Sequence, residues 1–387
     1  MSFSRADSSV LGRWWWTVDR WTLAAIFILV GFGYVMMLAA SPAVAERIGA
    51  SSRDFFIWRQ VGYLALSIAL MITVSLLSPR QVRRLAILGF GVGLLLTAAT
   101  LVVGVEIKGG RRWLPIPGLS LQPSEFLKPC FAIVAAWLLA EVRGPGPISR
   151  WAGWLIAGGC WAMIAFLLKS QPDIGMLLVV TSVFFTQLFI AGLPVLLVGA
   201  LGGLGVLGGV GAYLTLPHVR SRVERFLDPS TGDNYQVNVA LEAFGNGGLM
   251  GTGPGEGRIK NVLPDAHADF VFAVMGEEFG MIVCALLIAV FMFIVVRGML
   301  RLLAETDLFV ILAATGLLTQ FGLQAFINMG STLHLIPTKG MTLPFISYGG
   351  SSMLAMCLTM GFALALTRRR PGAYEPGANL GTGRRVF

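Results

Sequence analysis

The chain is short of charge. Asp, Glu, Lys and Arg make up 13% of its 387 residues, against roughly 25% in an ordinary soluble domain. With 56% hydrophobic residues and a mean hydropathy of +0.76, this deficit excludes a soluble core under a normal polar surface. Cysteine and histidine are scarce as well. Cys130, Cys160, Cys284 and Cys357 all fall in apolar stretches, and none shares a C-x-x-C spacing, which argues against a disulfide framework and a zinc site. His218, His267 and His334 stand apart from any cysteine or second histidine, so no transition-metal site is indicated. The glycine-rich run Gly251–Gly257 lacks both a G-K-[ST] ending and a preceding strand, which rules out a nucleotide P-loop. Nothing in the chain signals nucleic-acid binding.

What is plentiful is apolar sequence in stretches of about 20 residues, long enough to cross a bilayer. Runs bounded by glycine, proline and charge predict an all-α, polytopic membrane protein with ten spans. They lie near Trp21–Ala40, Ile57–Leu77, Leu85–Val103, Ser124–Ala140, Trp151–Leu168, Gly175–Ile190, Leu193–Leu216, Phe270–Val296, Leu308–Met329 and Ile346–Leu366. Ser41-Pro42-Ala43-Val44-Ala45 resembles a signal-peptidase site, but the run before it exceeds the roughly 7–15 residues of a signal core. The first span is therefore read as an uncleaved helix. The organisation expected is a tail at 1–20, a ten-span body at 21–366 with one long outer connection at 217–269, and a tail at 367–387. Placing both termini in the cytoplasm puts 15 of the 29 basic residues but only 6 of the 20 acids on the inner margin, which then carries the whole formal charge of +9. Anionic lipid attracts such a margin.

Polar residues inside or beside the spans are the functional candidates, because ionisable groups there are costly. Lys108, Arg111 and Arg112 share one outer loop, and Arg220, Arg222, Arg225, Arg258 and Lys260 share another; they pair with local acids or bind an anionic group. Glu125 and Lys128 are three residues apart, hence on one helix face, where an ion pair is expected. Arg59, Asp173, Glu277 and Glu278 have the same character and imply a wet, charged cleft opening outward. In the long connection, Val237, Leu241 and Phe244 predict a short amphipathic helix lying on the membrane surface. The Gly251–Gly257 run is a flexible turn or a backbone cradle for phosphate. The seven glycines of the seventh span predict tight helix packing, or else a hinge. Asp269 stands just before an apolar run: it is an N-cap for the eighth helix, or a partly desolvated base.

Several strings taken in order resemble the SEDS family (shape, elongation, division and sporulation). They are Lys108-Gly109-Gly110-Arg111-Arg112-Trp113, Gln122-Pro123-Ser124-Glu125 with Lys128, Gln171-Pro172-Asp173-Ile174-Gly175, Tyr235-Gln236, His267-Ala268-Asp269-Phe270 leading to Gly276-Glu277-Glu278, and Pro344-Phe345-Ile346-Ser347-Tyr348-Gly349-Gly350-Ser351-Ser352. The resemblance runs from about residue 21 to 366. Pro337-Thr338-Lys339-Gly340-Met341-Thr342-Leu343-Pro344 is similar to the family's division branch, whereas the elongation branch usually lacks that lysine. One departure is Ala268, where the family commonly has Thr; His267 and Asp269 are kept.

The resemblance implies a ten-span peptidoglycan glycosyltransferase. It would polymerise lipid II, a disaccharide-pentapeptide on undecaprenyl pyrophosphate, at the outer face of the bacterial inner membrane, during synthesis of the septal wall. It implies as partners a class B penicillin-binding protein and other membrane proteins of the divisome. By the family match Asp269 is the catalytic base on the acceptor hydroxyl, and Arg59, Lys108, Arg112, Glu125, Lys128 and Asp173 surround the substrate. No metal ligand is assigned; a divalent cation, Mg2+ or Mn2+, is left open. Asp269 and Glu277 are about 12 Å apart along a helix axis, outside the roughly 5–9.5 Å of a paired-carboxylate glycosidase. A lipid II flippase and the elongation polymerase are the competing readings.

Overall fold

The computed structural model describes residues 9–47, 49, 52, 54–107, 109–116, 119–141, 150–227, 235–337 and 340–369. In chain order the helices are α1 (Val10–Thr17), α2 (Arg20–Arg47), α3 (Phe55–Ser75), α4 (Pro79–Val103), α5 (Pro123–Glu141), α6 (Arg150–Ser170), α7 (Ile174–Ile190), α8 (Val195–Thr215), α9 (Pro217–Leu227), α10 (Tyr235–Gly247), α11 (Val271–Leu302), α12 (Leu308–Thr332) and α13 (Gly350–Leu366). Eight of them are long and apolar enough to cross a membrane, and α7 and α13 are shorter apolar helices of 17 residues each. Local chemistry sets several boundaries. Ser78 and Gln81 form a capping box at the start of α4, with Pro79 at its first position. Asp173 accepts from the Met176 N–H to open α7, and Asp307 from that of Phe309 to open α12.

The core is made by α5, α12 and α13, whose residues are buried almost throughout. Around them pack α3 and α4, α7 and α11. By contrast α8 has no buried residue, and a side chain built at any of its seven glycines meets nothing within 4 Å. The tight packing expected of these glycines is absent from the described residues, because nothing there lies against them.

Four further expectations are corrected. The fold is not purely helical: β1 (Val105–Ile107), β2 (Gly110–Ile116) and β3 (Leu119–Leu121) form an antiparallel sheet of order β1-β2-β3 between α4 and α5. The last helix starts at Gly350 rather than Ile346. The Ile346 and Ser347 N–H groups turn back to the Leu343 carbonyl and that of Tyr348 donates to the His267 carbonyl, so these residues are held in a loop that also contains Phe345 at a left-handed φ of 66°. Third, α11 is interrupted at Gly280, with φ 78° and ψ 175°, values open to glycine alone. Finally, α10 forms where expected, but Val237, Val239, Ala240, Ala243 and Phe244 are buried in protein, with Phe244 against Phe272 of α11. Of the predicted face, Val237 and Phe244 are thus taken up by protein, whereas Leu241 stays exposed.

Candidate active site

Asp269 ends a tight series of turns. Asp265 takes a φ of 52°, which aspartate tolerates, and its carbonyl accepts from the N–H groups of Ala268 at 2.9 Å and Asp269 at 3.0 Å. The N-cap position of α11 therefore falls one residue later, on Phe270, which makes no side-chain cap bond. The N-cap position that the sequence offers to Asp269 is thus taken by Phe270. What holds Asp269 is Asn328 of α12, whose Nδ2 donates to the Asp269 carbonyl at 2.9 Å and to the Met341 carbonyl at 2.6 Å. One amide thus joins the turn before α11 to the loop before α13. The half-buried Asp269 carboxylate lies against Gly340, so close that a methyl group there would stand 2.5 Å from Oδ2.

One turn along the same face of α12, Gln324 accepts from Lys128 Nζ at 2.8 Å and donates to the Thr342 carbonyl at 3.3 Å. Lys128 in turn lies 2.8 Å from Glu125, and both are buried. The expected ion pair is formed and is tied through α12 to the segment that touches Asp269. Ser351, at the start of α13, donates to the Ser120 carbonyl and accepts from the Gln122 N–H, anchoring β3 and α5 to the same loop.

On the other side of Asp269, His267 is enclosed by the rings of Phe56 and Tyr348, with centroids at 5.0 and 5.1 Å, while its carbonyl accepts from the Tyr348 N–H. Burial pushes the His267 pKa down to about 4; Arg47 adds to this and Asp265 opposes it. Its Nδ1 has no hydrogen-bond partner among the described residues. Arg59 is one turn beyond Phe56 on α3; it donates to the Tyr63 hydroxyl and lies over the Phe55 ring. Tyr63 packs against Gly350. Arg59 is thus linked to the start of α13 through Tyr63, and shares α3 with the Phe56 that packs on His267.

Arg112 and Asp173 form a separate pair, Nη1 to Oδ2 at 3.5 Å. Arg112 also donates to the carbonyls of Gln171 and Pro172, so its guanidinium pins the turn that opens α7. Lys108 lies outside the described residues. Glu277 and Glu278 do not line a wet cleft. Both are buried: Glu277 accepts from the N–H groups of Arg258 and Ile259, Glu278 accepts from that of Gly255, and Lys260 bridges Glu278 and the Gly255 carbonyl. The Gly251–Gly257 run is consequently neither a free turn nor an open cradle, since the Glu278 carboxylate accepts from Gly255 and the Glu277 and Glu278 carbonyls accept from Thr252 and Gly253. Asn328 and Gln324 were missed in the sequence, and Tyr348 stood in a family string without a role of its own. Amides four residues apart in an apolar helix are the signal that marks the first two. Among the described residues no three His, Cys, Asp or Glu side chains converge on a metal position, so these side chains make no closed cage for Mg2+ or Mn2+.

The family model described as "Cell cycle protein", that of FtsW, RodA and SpoVE, matches residues 20–371. The chain belongs to this family. A Caulobacter vibrioides relative named probable peptidoglycan glycosyltransferase FtsW is 44% identical over 99% of this chain and 97% of its own. One of the same name from Aromatoleum aromaticum is 35% identical, covering 89% and 86%. A structure described as structural coordination of polymerization and crosslinking by a peptidoglycan synthase complex superposes with a TM-score of 0.76 at 30% identity, over 90% of this chain and 97% of that one. Thermus thermophilus RodA gives 0.66 at 28%, over 91% and 97%. This FtsW, RodA and SpoVE family is the SEDS family that the ordered motifs resemble.

Proposed function

We propose that this chain is the FtsW-type peptidoglycan glycosyltransferase of its cell, a ten-span protein that polymerises lipid II on the outer face of the inner membrane at the division septum. The FtsW names of its curated relatives support the division branch over the elongation branch, as does Lys339 in the Pro337–Pro344 string. The ten spans correspond to the eight long helices together with α7 and α13. Both termini then lie in the cytoplasm, and the Asp269 turn faces outward. A class B penicillin-binding protein is the partner, in keeping with the synthase complex among the structural neighbours; other divisome proteins join it.

The reaction forms a bond between the acceptor 4-hydroxyl oxygen and the donor anomeric carbon, and breaks the bond from that carbon to pyrophosphate. The hydroxyl proton passes to Asp269, and undecaprenyl pyrophosphate departs with the electron pair. A hydroxyl nucleophile needs a base, whereas a pyrophosphate leaving group needs cations more than an acid. The observation that supports this assignment is the Asn328 bracket, which ties the Asp269 backbone to the loop before α13. Arg59, one helical turn from the Phe56 that packs on His267, is the cation proposed to meet the pyrophosphate. Lys128 with Glu125, and Arg112 with Asp173, keep the surrounding segments in place. The test is polymerisation of lipid II by the purified protein with its penicillin-binding partner in detergent, where transport has no meaning. Glycan strands are expected; their absence, with both proteins folded and bound, would leave flipping as the better account.

A further inference from the structure

A second polar cluster lies at the opposite end of the molecule. Arg47, at the end of α2, donates to the Leu263 carbonyl near the Asp269 turn, whereas Asp19 immediately precedes the start of α2. The 28 residues of α2 span roughly 40 Å. There Asp19, which is buried, takes two hydrogen bonds from Arg297 of α11, at 2.7 and 2.9 Å, and lies 3.1 Å from Arg301 Nε. Arg301 also donates to the Thr367 carbonyl, and the Arg369 N–H donates to that of Thr17. A cavity of about 330 Å³ opens between these groups, lined by Phe293, Val296, Arg297, Leu300, Arg301 and Arg369.

Charge and shape together define the occupant. Among the described residues Arg297 and Arg301 share one carboxylate, Asp19, and Arg369 lines the same cavity, so the cavity keeps an excess of positive charge. Asp19 is held below the usual carboxylate range. Burial opposes this, but the bonds from Arg297 and Thr22 and the charge of Arg301 outweigh it, so its negative charge persists and the excess is not a matter of pH. The remaining wall is apolar: Phe293, Val296 and Leu300 are 42%, 46% and 60% exposed and form one stripe of α11 by their spacing. Leu286 and Met292 are exposed further up the same helix. A ligand suited to this site is anionic at one end and apolar along its length.

We propose that the pocket seats the headgroup phosphate of an anionic phospholipid, with the acyl chains lying along the exposed stripe of α11. Basic pockets at the ends of membrane helices are suited to such headgroups. The planar guanidinium fork matches phosphate oxygens in pairs, and Arg369 is the member left outside the Asp19 pairing. The site is distinct from the Asp269 region and does not depend on the proposed glycosyl transfer.

The test uses the full-length protein in a neutral detergent. Dioleoyl phosphatidylglycerol, dioleoyl phosphatidylcholine and inorganic phosphate are titrated separately, and bound ligand is counted by native mass spectrometry. Saturable binding of phosphatidylglycerol is expected, at least threefold tighter than that of phosphatidylcholine. Arg369→Gln, which leaves the Asp19 pairs intact, should weaken it threefold or more. Leu300→Glu, which adds a carboxylate to the wall without removing a hydrogen bond, should abolish the preference. Equal binding of the two lipids, or unchanged preference in both variants, would overturn the proposal. Inorganic phosphate binding as tightly as phosphatidylglycerol would overturn the lipid assignment and give the pocket to a soluble anion.

Discussion

His267 is packed between Phe56 and Tyr348, and its pKa of about 4 in the fold lies below the roughly 6.5 of an unfolded chain. The unfolded state therefore binds more protons between these values, and stability falls as pH drops from 6.5 towards 4, by at most about 1.4 kcal/mol per unit. His267→Gln should flatten that part of a thermal-midpoint profile measured in detergent; an unchanged slope would show that His267 is not its source. Gly340 offers a more local test. A Cβ there would collide with the Asp269 carboxylate, so Gly340→Ala should lower the polymerisation rate about 10- to 100-fold with little loss of thermal stability. At this scale the sequence was informative about residue types and weak about their duties. Asp269 stood out as a carboxylate at a helix mouth, but cap and base look alike in a one-dimensional pattern. What the fold adds is that Asp265, in its left-handed conformation, precedes a helix start that lies past Asp269.

Among the elements, the join of α10 and α11 shows how a broken helix is kept in place. At the Gly280 interruption, the N–H groups of Met281 and Ile282 donate to the carbonyls of Gly248 and Leu249, so the segment after α10 fills the gap in the helix ladder. The carboxylates of Glu277 and Glu278 then lock the Gly251–Gly257 turn beneath it. Glu278→Gln leaves Lys260 buried without its counter-charge, a change worth about 3–5 kcal/mol, and should lower the thermal midpoint markedly. Gly205→Ala on α8 is the contrast. Its new methyl meets nothing, and alanine favours a helix by about 0.5–1 kcal/mol over glycine, so the midpoint should hold or rise. Hydropathy located the long helices well because it senses apolar length directly. It was blind to the Gly280 break, which leaves the average apolar, and to the sheet, whose strands β1 and β3 have only three residues.

For the molecule as a whole, function lies in what the core brings together from distant parts of the chain. Asp269, Asn328 and Gly340 come from three segments, and Lys128 joins them through Gln324 of the same helix as Asn328. No spacing rule reaches across such separations; the ordered family strings mark the segments of Asp269, Gly340 and Lys128, but not the α12 segment that carries Asn328 and Gln324. The architecture also separates two ends: a polar bracket around Asp269, and a basic pocket around Asp19 that only the fold assembles. The central claim is that the bracket presents an essential carboxylate. The most direct measurement is lipid II polymerisation by purified Asp269→Asn protein with its penicillin-binding partner, alongside thermal stability and partner binding. Asn keeps the size and backbone contacts of Asp but cannot take the proton. A rate reduced by about 10²- to 10⁴-fold, with stability and partner binding unchanged, is the predicted result. Near-normal polymer from that variant would contradict the account.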